Sequence, residues 1–225
     1  MMRRLMLPLL WCLASGCTSL GLHPDALRLT LEEDASRLVA NEVQTPIPLR
    51  SGQPLSNRLG LYVTPTGFLR HGFEWTDRDR DRILQWAKGL SGRSDRAVMI
   101  PLSSLKGQTL TQLREAAFRY GADRLLIIDG AAEVDRYSNY KGRLLYWTII
   151  GAYLVQGTHN DALCLVRGSL WDVQKGTRLA AESAEGRAET VGPAATLTDQ
   201  TVVLQARQRA LENLLDKLAR HAAAP

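Results

Sequence analysis

Apolar and polar positions fall into blocks along this chain, and the period within each block names an element. In residues 58–65, Leu59, Leu61 and Val63 alternate with Gly60, Tyr62 and Thr64, which predicts a half-buried strand stopped by Pro65. Thr76 can cap a helix that places Ile83, Ala87 and Leu90 on its apolar side. A second short apolar run, Ala97-Val98-Met99-Ile100, is again closed by a proline. Thr109 opens another helix with Leu110, Leu113, Ala117 and Tyr120 on one stripe, and Gly121 stands where a helix ends in a left-handed residue. The unbroken aliphatic run at 125–128 reads as a strand covered on both faces. Two strands are predicted at 161–173 and 177–189, joined by a tight turn at Gln174-Lys175-Gly176. The last block, 199–218, is a helix with Val203, Ala206, Ala210, Leu214 and Leu218 as its core stripe.

The order is therefore β-α-β-α-β, then strands, then a helix. That order predicts a single α/β sandwich with a mixed sheet, parallel early and antiparallel late. Ahead of it, Leu27, Leu31, Ala35 and Leu38 share a helical face near 26–41, followed by an extended connector with Pro46, Pro48 and Pro54. The expected domains are a signal peptide at 1–16, a lipidated N-terminus and tether at 17–57, and the α/β domain at 58–220.

The address is written at the start. Arg3 and Arg4 precede a short apolar run from Leu5 to Leu13, and Ala14-Ser15-Gly16 leads into Cys17. A bilayer core needs roughly 20 apolar residues, so this run is a secretory signal and not a span. Small residues followed by cysteine resemble a lipobox, with Leu13 one place early and Ala14 in its slot. The competing reading is an ordinary signal peptide with an incidental cysteine. Lipoprotein processing would attach diacylglycerol to Cys17, cleave between Gly16 and Cys17, and acylate the new amine with a fatty chain such as palmitate. Buried chains are worth about 0.8 kcal/mol per methylene, enough together for stable anchoring. Thr18 follows, not Asp, so by analogy with enterobacterial sorting the expected destination is the periplasmic side of the outer membrane.

Composition changes this picture little. Of 225 residues, 45% are apolar and 23% charged, which excludes wholesale disorder. Removing the signal leaves 26 basic and 23 acidic residues, a formal +3. That is too mild for a nucleic-acid footprint, and no basic cluster interleaves with aromatics. With Cys12 lost and Cys17 capped, Cys164 is the last cysteine, and its apolar neighbours mark it as a core residue, not a nucleophile.

Catalytic and metal constellations are not evident in the sequence. His23, His71, His159 and His221 have no ligand partner at helical or hairpin spacing. There is no HExxH, GxSxG or GxxxxGK[ST] motif. No catalytic residue, cofactor or metal is expected, and the chain is read as a non-enzyme. The run Asp77-Arg78-Asp79-Arg80-Asp81-Arg82 could suggest a Ca²⁺ loop, but it lacks the turn glycine and follows a cap. It reads as a solvated helix start with acids at the positive end of the dipole. Residues 144–155 contain no charge and include Tyr146, Trp147 and Tyr153. At about 18 Å they are too short to span as a helix, though long enough for a tilted membrane strand. A core strand or short core helix is preferred to a membrane-facing or partner-facing patch, because the polar alternation of a barrel strand is missing.

Taken in order, the lipobox, residues 58–65, Gly121-Ala-Asp-Arg-Leu-Leu-Ile-Ile128 and Trp171-Asp-Val173 before a glycine turn resemble the envelope lipoproteins related to the curli secretion lipoprotein. Within that group, residues 153–157 (Tyr-Leu-Val-Gln-Gly) with 163–173 most resemble the rhombotarget lipoproteins. Gln156 stands where that pattern has proline, and 178–183 is less apolar than the pattern. The resemblance implies an α/β fold related to the anticodon-binding and TolB amino-terminal folds, in an acylated accessory protein without catalytic residues. The resulting expectation is an outer-membrane lipoprotein that binds another envelope protein or its own copies. The surfaces proposed for contact are 177–189 and 135–141. The alternative is an oligomeric pore subunit using 144–155.

Overall fold

The computed structural model describes residues 21–39, 58–65, 73–91, 97–105, 109–139 and 153–223. Four helices and five strands are arranged as α1 (Pro24–Val39), β1 (Leu59–Val63), α2 (Asp77–Ser91), β2 (Ala97–Met99), α3 (Leu110–Arg119), β3 (Arg124–Ser138), β4 (Thr158–Asp172), β5 (Arg178–Gly192) and α4 (Asp199–Ala223). The sheet order is β2-β1-β3-β4-β5. β1 pairs parallel with β2 and β3, while β3–β4 and β4–β5 are antiparallel, as the block order predicts.

Both sheet faces are covered, which is why the central strands are aliphatic without a break. Along β4, Ala162, Cys164 and Val166 face α2 and α4, where they join Ile83, Val203, Ala206 and Leu214 in one core. The alternate residues Leu163 and Leu165 face the other way and meet Leu27 and Leu31 of α1 with Ala131. Farther along that second face, Leu110, Leu113 and Ala117 of α3 cover Tyr62, Leu125 and Ile127. The Thr109 cap is a capping box: its hydroxyl accepts from the Gln112 N–H while the Gln112 side chain accepts from the Thr109 N–H. Gly121 has φ of 73°, the left-handed helix stop read from the sequence.

Several elements differ from the sequence expectation. β3 does not end at Ile128 but continues to Ser138 through the polar stretch that begins at Glu133. β1 stops opposite Ile128, so β3, β4 and β5 run on alone as a three-stranded arm of about ten residues, some 30 Å at strand rise. Leu90 is exposed, not core. The predicted amphipathic helix is present as α1, and Leu27 and Leu31 dock it on the sheet. The Asp-Arg run does start a helix, but Asp79 is not solvated: it is buried against Arg207 of α4 at 3.0 Å. Residues 1–20, which include Gly16 and Cys17, and 140–152, most of the uncharged run, lie outside the described residues.

The open edge of β5 is protected by its own helix. Arg209, Asn213 and Lys217, each one turn apart on α4, donate to the carbonyl oxygens of Arg187 (2.5 Å), Glu185 (2.9 Å) and Ser183 (2.6 Å). Edge carbonyls are a template for pairing with another strand, and these side chains occupy them. The middle of 177–189 is thus closed to simple strand addition, contrary to its expected role as an open contact edge.

Candidate functional site

α1 crosses the second sheet face from the arm toward the β4–β5 turn. Gly21 N–H donates to Asp135 at 3.0 Å and His23 N–H to Glu133 at 2.7 Å, fixing the first end of the helix on the arm. Leu27 and Leu31 then bury against the strands. Beside residues 32–39 of the helix, a groove of about 780 Å³ opens against the sheet. That volume lies within the ~300–1,000 Å³ typical of ligand sites.

The groove floor comes from β4. Arg167, Ser169 and Trp171 are alternate residues on one face, with Ile127 and Asp129 of β3 beside them. The far wall is the β4–β5 turn, with Thr177 and Arg178. This turn is rigid. The Asp172 carboxylate accepts from the N–H groups of Gln174 (3.0 Å) and Lys175 (2.8 Å), and Gly176 takes φ of 69°. Arg114 of α3, fully buried, donates from Nε to the Val173 carbonyl and from Nη2 to the Gln174 carbonyl, each at 3.0 Å.

The charged groups of the groove are not equivalent. Asp129 is committed: its Oδ1 accepts from the Thr64 hydroxyl and the Gly130 N–H, both at 2.8 Å. Its cross-strand neighbour Arg167 is half-buried and has no hydrogen-bond or ion-pair partner among the described residues. The Trp171 indole N–H is buried and also lacks an acceptor. The groove therefore offers the Arg167 guanidinium on its floor and Arg178 at the rim, with Glu32 on the helix side and apolar flanks from Leu38, Val39 and Ile127. This donor set suits a carboxylate or a run of carbonyl oxygens.

A second polar cluster occupies the arm. Asp135, Asp161 and Glu189 sit side by side across β3, β4 and β5. Tyr137 stacks on His159 with ring centroids 5.0 Å apart, and its hydroxyl donates to Asp161 at 3.4 Å. Burial, and then the Glu189 charge, push the Asp161 carboxyl above its usual range. Between the ordinary and the raised value the folded chain holds a proton that the unfolded chain has lost, so stability falls as pH rises through that window. Asp161→Asn is expected to raise Tm at neutral pH, and the difference should close as pH falls into the ordinary carboxylate range. Melting curves of both proteins across pH check this; a difference independent of pH would refute it.

Among the described residues no group of three His, Cys, Asp or Glu side chains is placed to hold a metal ion. Cys164 is buried in the core and its thiol is pushed up by burial. Arg167 and Arg178 were not singled out by sequence as site residues, and Trp171 entered only as part of the Trp171-Asp-Val173 motif. The available signal was the change from Leu163 and Leu165 to Arg167 and Ser169 at the same strand period.

The fold is a five-stranded mixed α/β sheet with helices on both faces. Neither a family model nor a curated protein matches the chain. Similar solved structures include the hypothetical protein CT253 from Chlamydia trachomatis, with 10% identity, a TM-score of 0.39, and coverage of 75% of this chain and 99% of that one. Lipoprotein GNA1162 from Neisseria meningitidis is similar at 13% identity and a TM-score of 0.33, covering 74% and 98%. The PelC dodecamer from Paraburkholderia phytofirmans is similar at 13% identity and a TM-score of 0.33, covering 80% and 95%. Such remote likeness leaves function to be argued from the residues themselves.

Proposed function

We propose that this chain is a bacterial envelope lipoprotein, lipid-anchored at Cys17 on the periplasmic side of the outer membrane. Its α/β domain is a binding module and not an enzyme. The groove beneath α1 receives an acidic segment of another envelope protein. The anchor rests on the sequence pattern ending in Cys17, and on the similarity of residues 58–189 to the rhombotarget lipoproteins. The observation that carries the binding role is Arg167, a half-buried cation on the groove floor without a partner among the described residues. An acidic group in the groove would give this guanidinium the acceptor that its half-buried setting lacks.

The test has two parts. Cys17→Ser should abolish palmitate incorporation and move the protein out of the membrane pellet. A photo-crosslinking residue at Ser169, on the groove floor, should capture a second protein in intact membranes, and Arg167→Glu should abolish the adduct while leaving the protein folded. Unchanged fractionation would overturn the anchor. The absence of any adduct, or one insensitive to Arg167→Glu, would overturn the groove. Capture of a second copy of the chain would make the partner the protein itself.

A further inference from the structure

We infer that the segment held by the groove is extended and alternating, with two acidic residues flanking one large apolar residue (acid–x–apolar–x–acid). This inference rests on the groove reading above.

The floor sets the spacing. Arg167, Ser169 and Trp171 recur at every second residue of β4, about 6.8 Å apart, which puts the outer two about 13 Å from one another. β4 is an inner strand, so an incoming chain lies along its face and is read by side chains, not by strand pairing. An extended chain repeats its same-face side chains at the same ~6.8 Å, so three of them stand in step over the three floor positions. A helix cannot keep that step, because its residues i and i+7 are only about 10.5 Å apart.

The floor also sets the order of the chemistry. At one end is Arg167, half-buried and without a partner among the described residues. At the other, Arg178 is the cross-strand neighbour of Trp171, and it too has no partner among the described residues. Between them Ser169 is small and lies beside Ile127, with Leu38, Val39 and Leu110 lining the same groove. A bulky apolar side chain over Ser169 is buried among these groups, while an acid on either side reaches a guanidinium. Of the groove's own carboxylates, Asp129 is held by Thr64 and Gly130, and Glu32 is exposed on the helix side. Glu32 opposes an incoming acid and limits its affinity. The pattern reads the same from both ends, so it suits a chain running in either direction along β4.

The experiment titrates the full lipidated chain in detergent micelles, by calorimetry, with two acetylated and amidated peptides of one composition. These are Thr-Glu-Thr-Leu-Thr-Glu-Thr and Thr-Thr-Glu-Leu-Glu-Thr-Thr, and only the first puts both acids on the leucine's face of an extended chain. The first should bind about tenfold or more tightly than the second. Arg167→Gln should weaken it by about tenfold or more, and Arg178→Gln, at the exposed rim, by about two- to fivefold. Ser169→Trp should fill the central space and abolish binding, whereas Glu32→Gln should tighten it by about two- to fivefold. A melting temperature equal to the parent's establishes that each variant is folded. Equal affinity for the two peptides, both weakened by Arg167→Gln, would overturn the alternating register and leave the acidic groove standing. A preference for the first peptide that survives Arg167→Gln and Ser169→Trp would place it elsewhere and overturn the assignment. No binding of either peptide at millimolar concentration, with the Ser169 photo-adduct still formed and still lost in Arg167→Glu, would overturn the register alone. No peptide binding and no adduct would overturn the groove reading with it.

Discussion

Gly186→Ala is expected to be among the most damaging single-methyl additions in this fold. Gly186 is in the middle of β5 and faces α4, flanked on the same face by Ala184 and Ala188. A Cβ built there lies 2.1 Å from the Ala206 carbonyl oxygen and 2.3 Å from the Ala210 nitrogen. Both are backbone atoms of a regular helix, so no side chain can rotate away, and the helix itself must back off by about an ångström. That movement would loosen the core beneath Val203, Leu214 and Leu218. It would also draw Arg209, Asn213 and Lys217 away from the carbonyls they cover on the edge strand. Overpacking usually costs about 1–3 kcal/mol, and a clash with backbone belongs at or above the top of that range. With roughly 2–4 °C per kcal/mol for a chain of this size, Tm should fall by about 6–12 °C. Gly89→Ala is the matched control. Nothing lies within 4 Å of its added methyl at this exposed position of α2, and helix propensity there favours alanine by roughly 0.8–1 kcal/mol. Denaturant midpoints for the two variants should move in opposite directions. If Gly186→Ala matched the parent, the close approach of α4 to β5 would be refuted.

Much of the framework was legible because each element announces itself through a local rule. The helix start at Thr109, the left-handed Gly121, the glycine turn before β5 and the stripe of α4 depend on neighbours within a few residues. The extension of β3 was not legible for a different reason. From Glu133 to Ser138 the strand leaves the double cover of the core, its outward positions turn polar, and the sequence reads as a loop although the ladder to β4 continues. The groove was hidden more deeply. Arg167 and Trp171 come from β4, Leu38 and Val39 from a helix more than a hundred residues earlier, and only docking of α1 makes them walls of one space. The edge cover on β5 is likewise tertiary: three donors one turn apart on a helix carry no sequence sign that they will meet strand carbonyls.

Asp79 is the sharpest failure of the local reading and carries the second large effect. In sequence it is one member of an alternating acid–base run, and both of its neighbours on that run are arginines. In the fold it is the N3 residue of a cap. Its Oδ2 accepts from the Thr76 N–H (2.9 Å) and hydroxyl (2.6 Å), and the same oxygen meets Arg207 Nη2 at 3.0 Å. Both side chains are only 4% exposed. Arg207 also donates to the Glu74 carbonyl and lies 6.0 Å from the centre of the Phe73 ring. The pair thus joins the start of α2, the segment before it and α4 at one buried point. Removing one partner strands the other charge in the core, at a cost of about 3–5 kcal/mol. Arg207→Met should show that loss. Adding Asp79→Asn keeps an acceptor for Thr76 but removes the stranded charge, so the double variant should regain on the order of 1–3 kcal/mol relative to the sum of the singles. Equilibrium unfolding of the four proteins gives that coupling energy directly. Strict additivity would mean that the two ions do not sense each other and that the burial assigned to them is wrong.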